Sequence, residues 1–249
     1  MPSVLAAAFF LLGAILASFG GVIAGRIGTG QSWIRGRSRC DACAADLEAT
    51  AMVPIISSLL QRACRACGMR ASAWYALQEA VLGTLFLAAE LKFGLTPYLA
   101  AFLAAAFVLY VLVLYDLRHT IVPPVLSALL AVLSALCAVL AASSAQALLI
   151  AVIIAVIIGA AFAALHFLSG GRAMGLGDAP VAFSLSLLAA PFAPASLAFS
   201  FWIGAAVGIA MVAMLPRGRR MGIEVPFVPF MAAGYLLALF TQWNPFPWH

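Results

Sequence analysis

Two aspartates interrupt otherwise apolar stretches of this sequence. Asp116 follows the run VLVLY, and Asp178 follows the glycine-rich segment GRAMGLG, in a chain that is 66% hydrophobic and 8% charged. An acidic side chain at membrane depth costs about 2.5–3.5 kcal/mol on insertion scales, so each aspartate is a candidate functional residue. Two such costly acids on different segments suggest a pair that the fold brings together.

Paired carboxylates can perform acid–base chemistry on a peptide bond. Two carboxylates in hydrogen-bonding distance share one proton, so one acts as a base on water while the other acts as an acid toward a carbonyl oxygen. We expect Gly175 and Gly177 to allow a sharp turn before Asp178 and a close approach by a substrate strand. The acids could also form a proton or ion pathway, or cap helix ends. The residue types alone leave these alternatives open.

Four cysteines form two C-x-x-C pairs, Cys40 with Cys43 and Cys64 with Cys67, separated by 20 residues. This spacing is typical of a four-thiolate zinc site, in which each pair supplies two sulfurs from a tight turn. Two disulfides are the alternative, but the arginines around the cysteines indicate the reducing cytoplasm. Four thiolates leave no coordination position for water, so the zinc is expected to be structural.

The elements that carry these residues are apolar runs. A mean hydropathy of +1.14, with repeated runs close to the roughly 20 residues that cross a bilayer, predicts an all-α polytopic membrane protein. We expect a first transmembrane helix in 1–23, a cytoplasmic zinc-binding loop domain in 24–73 and a membrane-embedded core in 74–249. The hydrophobic runs predict about eight transmembrane helices: 4–23, 74–91, 97–115, 122–142, 147–168, 179–192, 195–215 and 226–241.

The basic residues predict the orientation of these helices. If the N-terminus lies outside, all 13 lysines and arginines except Lys92 fall on the cytoplasmic side, as positively charged loops do. Asp116 and Asp178 then lie together at the cytoplasmic face. The net charge of +5 is therefore a topology signal and an attraction to membrane lipids, and we expect no nucleic-acid partner.

Five short segments follow one another along the chain: SFGGV at 18–22, RSRC at 37–40, Asp116 with Pro123 seven residues later, GLGD at 175–178 and PFVPF at 226–230. In type and order they resemble motifs of the type IV prepilin leader peptidases, which are bacterial membrane aspartic proteases of the GxGD type. Gly21, Pro124 and the Ala179-Pro180 pair depart from the family's common residues, but no departure replaces an aspartate.

The resemblance implies an enzyme of the bacterial cytoplasmic (inner) membrane. Asp116 and Asp178 would be catalytic and would remove the short basic leader of type IV prepilins or type II secretion pseudopilins at the cytoplasmic face. The resemblance also implies N-methylation of the new N-terminus with S-adenosylmethionine as methyl donor, for which the sequence marks no site. The alternative function is a proton- or ion-coupled transporter that uses the same two acids.

Overall fold

The described part of the chain is helical. The structure, a computed structural model, describes residues 2–32, 40, 42–43, 45–46, 64–70, 72–214 and 225–245. Those residues contain no β-strand, which confirms the all-α prediction. Their α-helices are α1 (Pro2–Arg26), α2 (Ala73–Phe93), α3 (Pro97–His119), α4 (Pro124–Ala141), α5 (Ala145–Ser169), α6 (Asp178–Ala189), α7 (Ala193–Met214) and α8 (Val228–Thr241), with a 3₁₀ turn at Ala190–Phe192.

Every apolar run named from the sequence corresponds to one of these helices, which fits a multi-pass membrane protein. The largest difference between a predicted and an observed helix end is at α3. The sequence predicts that this helix ends at residue 115, but it continues to His119 and so includes Asp116 in its last turn. The apolar helix α8 is shorter, with 14 residues. Five described stretches are long and apolar enough to cross a membrane: Val4–Arg26, Pro97–His119, Pro124–Ala141, Ala145–Ser169 and Asp178–Met214.

The chain divides into two compact units, Met1–Leu99 and Ala100–His249. In the first unit, α1 and α2 pack so closely that their backbones nearly touch. A Cβ added to Gly13 would lie 2.6 Å from the carbonyl oxygen of Leu82, and one added to Gly83 would lie 2.9 Å from that of Phe10. Small residues permit this approach between helices in a membrane, where close packing drives helix association.

The predicted limits of the zinc-binding segment, 24–73, stay a prediction. Much of that segment, including 33–39 and 47–63, lies outside the described residues.

The second unit is built around the short helix α6. Ten of its 12 residues are buried, and it contacts α4, α5, α7 and α8. Leu187, for example, packs with Ala138, Ala151 and Ala155 on α4 and α5. A helix surrounded by other helices can bury a polar residue such as Asp178 without exposing it to lipid.

Helices α7 and α8 pack closely on each other. The hydroxyl of Ser200 donates a hydrogen bond of 2.7 Å to the carbonyl oxygen of Ser196. A Cβ added to Gly234 would lie 2.6 Å from that same carbonyl oxygen. The glycine therefore lets α8, which begins at Val228, lie directly against α7.

Candidate active site

Asp116 is held by the first residue of the last helix. Its side chain is 4% exposed, and its Oδ2 accepts a hydrogen bond of 3.1 Å from the backbone N–H of Val228. The first N–H groups of a helix have no acceptor within the helix, so the aspartate satisfies one that burial would otherwise leave without a partner. Pro229, which follows in the first turn of α8, favours a helix start at this point.

Sequence reasoning missed Val228, because a backbone N–H has no side-chain signature. The available signal was the PFVPF segment at 226–230, which places a proline at the start of an apolar helix.

The loop after Asp116 brings Val122 against Gly177. The N–H of Thr120 donates to the carbonyl oxygen of Asp116 at 2.8 Å, and Thr120 has a left-handed φ of 51°, so the chain turns at once after α3. Pro124 then begins α4. A Cβ added to Gly177 would lie 2.7 Å from Cβ of Val122, closer than two such atoms can approach. The loop that follows the Asp116 helix and the loop that precedes Asp178 therefore pack directly on each other.

Asp178 is the first residue of α6 and is 8% exposed. Its N–H donates to the carbonyl oxygen of Gly175 at 3.2 Å, and the N–H of Ala179 donates to that of Leu176 at 3.3 Å. The carboxylate lies over Gly175, since a Cβ added there would be 3.4 Å from Oδ2 of Asp178. The short turn thus aims the carboxylate back over the glycine that precedes it.

The sharp turn expected before Asp178 is present, closed by the hydrogen bond from the Asp178 N–H to the carbonyl oxygen of Gly175. It needs no left-handed backbone at Gly175 or Gly177, since neither has a positive φ and Gly177 has an ordinary helical φ of −64°. Gly170 and Gly171 are the glycines of this loop with left-handed φ values, 62° and 77°. Gly175 and Gly177 also leave room for the Asp178 carboxylate and for Val122. The close approach of a substrate strand stays a prediction.

Both carboxylates are buried in the second unit, which also holds Gly175 and Gly177. The Asp116 carboxylate is near enough to act electrostatically on Asp178. Phe227, next to Val228, packs against Phe201 with ring centroids 5.2 Å apart, so aromatic rings line one side of the helix start that holds Asp116. A pair of carboxylates in such surroundings can hold a single shared proton and transfer it during a reaction.

The four cysteines come together in the first unit. All their Sγ atoms lie within 4.8 Å of one another, with 3.7 Å between Cys40 and Cys67 and 3.7 Å between Cys43 and Cys64. These distances are far beyond the roughly 2.05 Å of a disulfide. Zn–S bonds of about 2.3 Å in a tetrahedron place sulfurs about 3.8 Å apart, so the donor set fits zinc.

The backbone presents both cysteine pairs in the same way. The N–H of Cys40 donates to the carbonyl oxygen of Ala45 at 2.9 Å, and the N–H of Cys64 donates to that of Met69 at 2.8 Å. Each pair therefore lies in a turn closed by a hydrogen bond from its first cysteine. Two equivalent turns that face each other are the arrangement expected of a structural zinc site.

Four thiols this close cannot all ionise without a cation. Backbone N–H groups of Cys67 and Ala66 lower the pKa of the Cys64 thiol from 9.0 to about 7. At Cys67 the N–H of Met69 also lowers the pKa, but the Cys43 thiol, desolvation and the other two sulfurs together outweigh it and raise the pKa to about 12. A divalent cation would stabilise the four thiolates together, and Cys40, Cys43, Cys64 and Cys67 would hold it.

This chain is similar to a family model and to two proteins that share one name. Residues 11–93 match the family model for the Bacterial Peptidase A24 N-terminal domain. The chain is 32% identical over 238 residues to the prepilin leader peptidase/N-methyltransferase of Bacillus subtilis (strain 168), which covers 92% of this chain and 91% of that protein. It is 39% identical over 115 residues to the prepilin leader peptidase/N-methyltransferase of Myxococcus xanthus (strain DK1622), covering 46% of this chain and 34% of that relative. No solved structure matches the chain.

The match to the Bacillus protein extends over nearly the whole of both chains. It therefore includes the segments that carry the cysteine pairs and both aspartates. The chain belongs to the prepilin leader peptidase family.

Proposed function

We propose that this protein is a membrane aspartic endopeptidase that removes the short basic leader of type IV prepilins or type II secretion pseudopilins. The observation that carries the proposal is the buried pair of Asp116 and Asp178 at helix ends whose adjoining loops pack together through Val122 and Gly177. The names of both relatives support the substrate class.

The pair would hydrolyse the peptide bond by moving protons between water and substrate. The ionised carboxylate takes a proton from water while the oxygen of that water bonds to the scissile carbonyl carbon, and the protonated carboxyl gives its proton to the carbonyl oxygen. In the second step the C–N bond breaks. The leaving nitrogen takes the proton held by the first carboxyl, and the hydroxyl of the intermediate returns its proton to the second.

The surrounding residues would hold the two carboxylates in fixed positions. The Val228 N–H fixes one oxygen of Asp116, and Gly175 and Gly177 let Asp178 and Val122 approach. Groups fixed before substrate binds do not need to reorganise during the reaction, which lowers the barrier.

A site at helix ends suits a substrate that is part membrane helix and part charged leader. The leader would reach Asp116 and Asp178 from the polar side while the apolar segment stays in the bilayer. We place this site at the cytoplasmic face of the bacterial inner membrane with the N-terminus outside, on the distribution of lysine and arginine.

The protein is also proposed to methylate the new N-terminal amine, because both relatives are named as N-methyltransferases. S-adenosylmethionine, when bound, would supply the methyl group. No residue of the described chain is assigned to its binding. Zinc at the cysteine site would be structural, and nothing in the described residues favours the ion-coupled transporter considered from the sequence.

The proposed function is tested by mass spectrometry of a substrate's N-terminus. The purified protein in lipid vesicles is incubated with a prepilin, with and without S-adenosylmethionine. We expect loss of the leader in both cases and a further 14 Da, one methyl group in place of hydrogen, only with the donor. Asp116→Asn and Asp178→Asn should leave the leader in place, and Asp46→Asn, which changes an exposed aspartate, is their matched control and should cleave normally. An intact leader with every prepilin and pseudopilin tested would overturn the proposal.

A further inference from the structure

A histidine on α5 holds the loop that leads to Asp178. Nδ1 of His166 lies 2.9 Å from the backbone carbonyl oxygen of Met174. A carbonyl oxygen can only accept, so the proton of this hydrogen bond belongs to Nδ1 and the imidazole donates it. Met174 is the residue immediately before Gly175. The contact therefore joins the last turns of α5 to the start of the GLGD turn.

The loop is shaped around this imidazole. The N–H of Gly171 donates to the carbonyl oxygen of His166 at 2.8 Å, and the N–H of Ala173 donates to the hydroxyl of Ser169 at 3.2 Å. A Cβ added to Gly171 would lie only 3.2 Å from Cε1 of the ring, and this glycine has a φ of 77°. The chain can fold over the ring here because residue 171 has no side chain.

A short series of contacts leads from the ring to the carboxylate. His166 holds the carbonyl of Met174, and the next carbonyl, that of Gly175, accepts the N–H of Asp178 at 3.2 Å. The Asp178 carboxylate in turn lies over Gly175, with Oδ2 3.4 Å from the position of a Cβ there. A shift of the Met174 carbonyl would therefore move both the backbone and the carboxylate of Asp178.

We infer that His166 is a positioning residue for Asp178. The ring touches neither carboxylate; it fixes the loop in the conformation that orients the acid. This inference rests on the proposed peptidase function. Because His166 acts on the geometry of the reacting groups, its loss should affect the rate of the chemical step more than substrate binding.

The test compares variants that keep or remove the donor. His166→Asn retains an N–H donor of similar reach, whereas His166→Leu and His166→Phe fill the space without one. We expect the Leu and Phe variants to lose kcat by on the order of 10- to 100-fold with KM little changed, as for a small misplacement near a reacting group. The Asn variant should recover most of kcat. Leu168→Ala, on the same turn and 88% exposed, is the control and should match the wild-type protein.

The outcomes separate this inference from the function on which it rests. If the wild-type protein cleaves no prepilin, the proposed function fails. If it cleaves and a folded Leu or Phe variant keeps wild-type kcat, the positioning role is overturned while the function stands. Equal loss in the Asn and Leu variants would also overturn it, because the donor would then not matter. If neither variant without a donor gives a cooperative melting transition, His166 is a residue of the fold and the positioning role is rejected.

Discussion

The backbone N–H of Val228 donates a hydrogen bond of 3.1 Å to Oδ2 of Asp116, joining residues 112 positions apart. Both partners are buried, with Val228 fully enclosed and Asp116 4% exposed. The last helix is therefore part of the acidic site as well as an apolar segment. Any change that displaces the start of α8 should reach Asp116 through this bond.

Gly234→Ala should displace α8 and reduce cleavage. The new Cβ would lie 2.6 Å from the carbonyl oxygen of Ser196, so α8 must move away from α7. Overpacking of this kind destabilises a protein by about 1–3 kcal/mol. Gly208→Ala is the matched control, because a Cβ at that position meets nothing within 4 Å. Thermal melting and cleavage rate are measured for both, and equal behaviour of the two variants would contradict the account.

Gly177→Ala should separate the loop that precedes Asp178 from the loop that follows the Asp116 helix. Its Cβ would lie 2.7 Å from Cβ of Val122, and the backbone at Gly177 is otherwise compatible with alanine. We expect cleavage to fall sharply in this variant. The double variant Gly177→Ala/Val122→Gly removes the opposing atom and should recover much of the lost rate, giving a coupling between the two sites in a double-mutant cycle. Additive losses would show that Val122 is not the cause.

Replacement of any one of the four clustered cysteines by serine should remove zinc. The remaining three thiols cannot complete the closed four-sulfur coordination of a structural site, so the metal-to-protein ratio should fall from about one toward zero. Cys137→Ala is the control, because Cys137 is a buried cysteine of the second unit and lies outside the cluster. Elemental analysis of protein purified under reducing conditions measures the ratio. A wild-type ratio near zero would reject the zinc assignment.

The sequence predicts the helices well because hydrophobic length is a strong signal in this chain. It also predicts the cysteine cluster, since two C-x-x-C pairs have few other uses in a reducing compartment. The central position of α6 is not predictable in this way. An apolar run has the same composition whether lipid or other helices surround it, and only the structure shows that Leu187 packs on α4 and α5.

Contacts made by the backbone explain what the sequence could not predict at the site. Val228 binds Asp116 through its backbone N–H, and Met174 binds His166 through its backbone carbonyl. The side chains of Val228 and Met174 therefore give no sign of these contacts. We expected the glycines before Asp178 to allow a sharp turn, and the turn forms there without a positive φ at either glycine. The sequence does not show their packing role, in which Gly177 leaves space for Val122.

The central claim is that Asp116 and Asp178 act as one catalytic unit, and the cleavage rates of Asp116→Asn, Asp178→Asn and the double variant test it most directly. Zinc content and thermal melting first establish that each variant is folded. Because a pair that shares one proton fails when either member is lost, each single variant should lose about as much activity as the double, on the order of 10³-fold or more. Leader removal at the wild-type rate by either folded single variant would contradict the account.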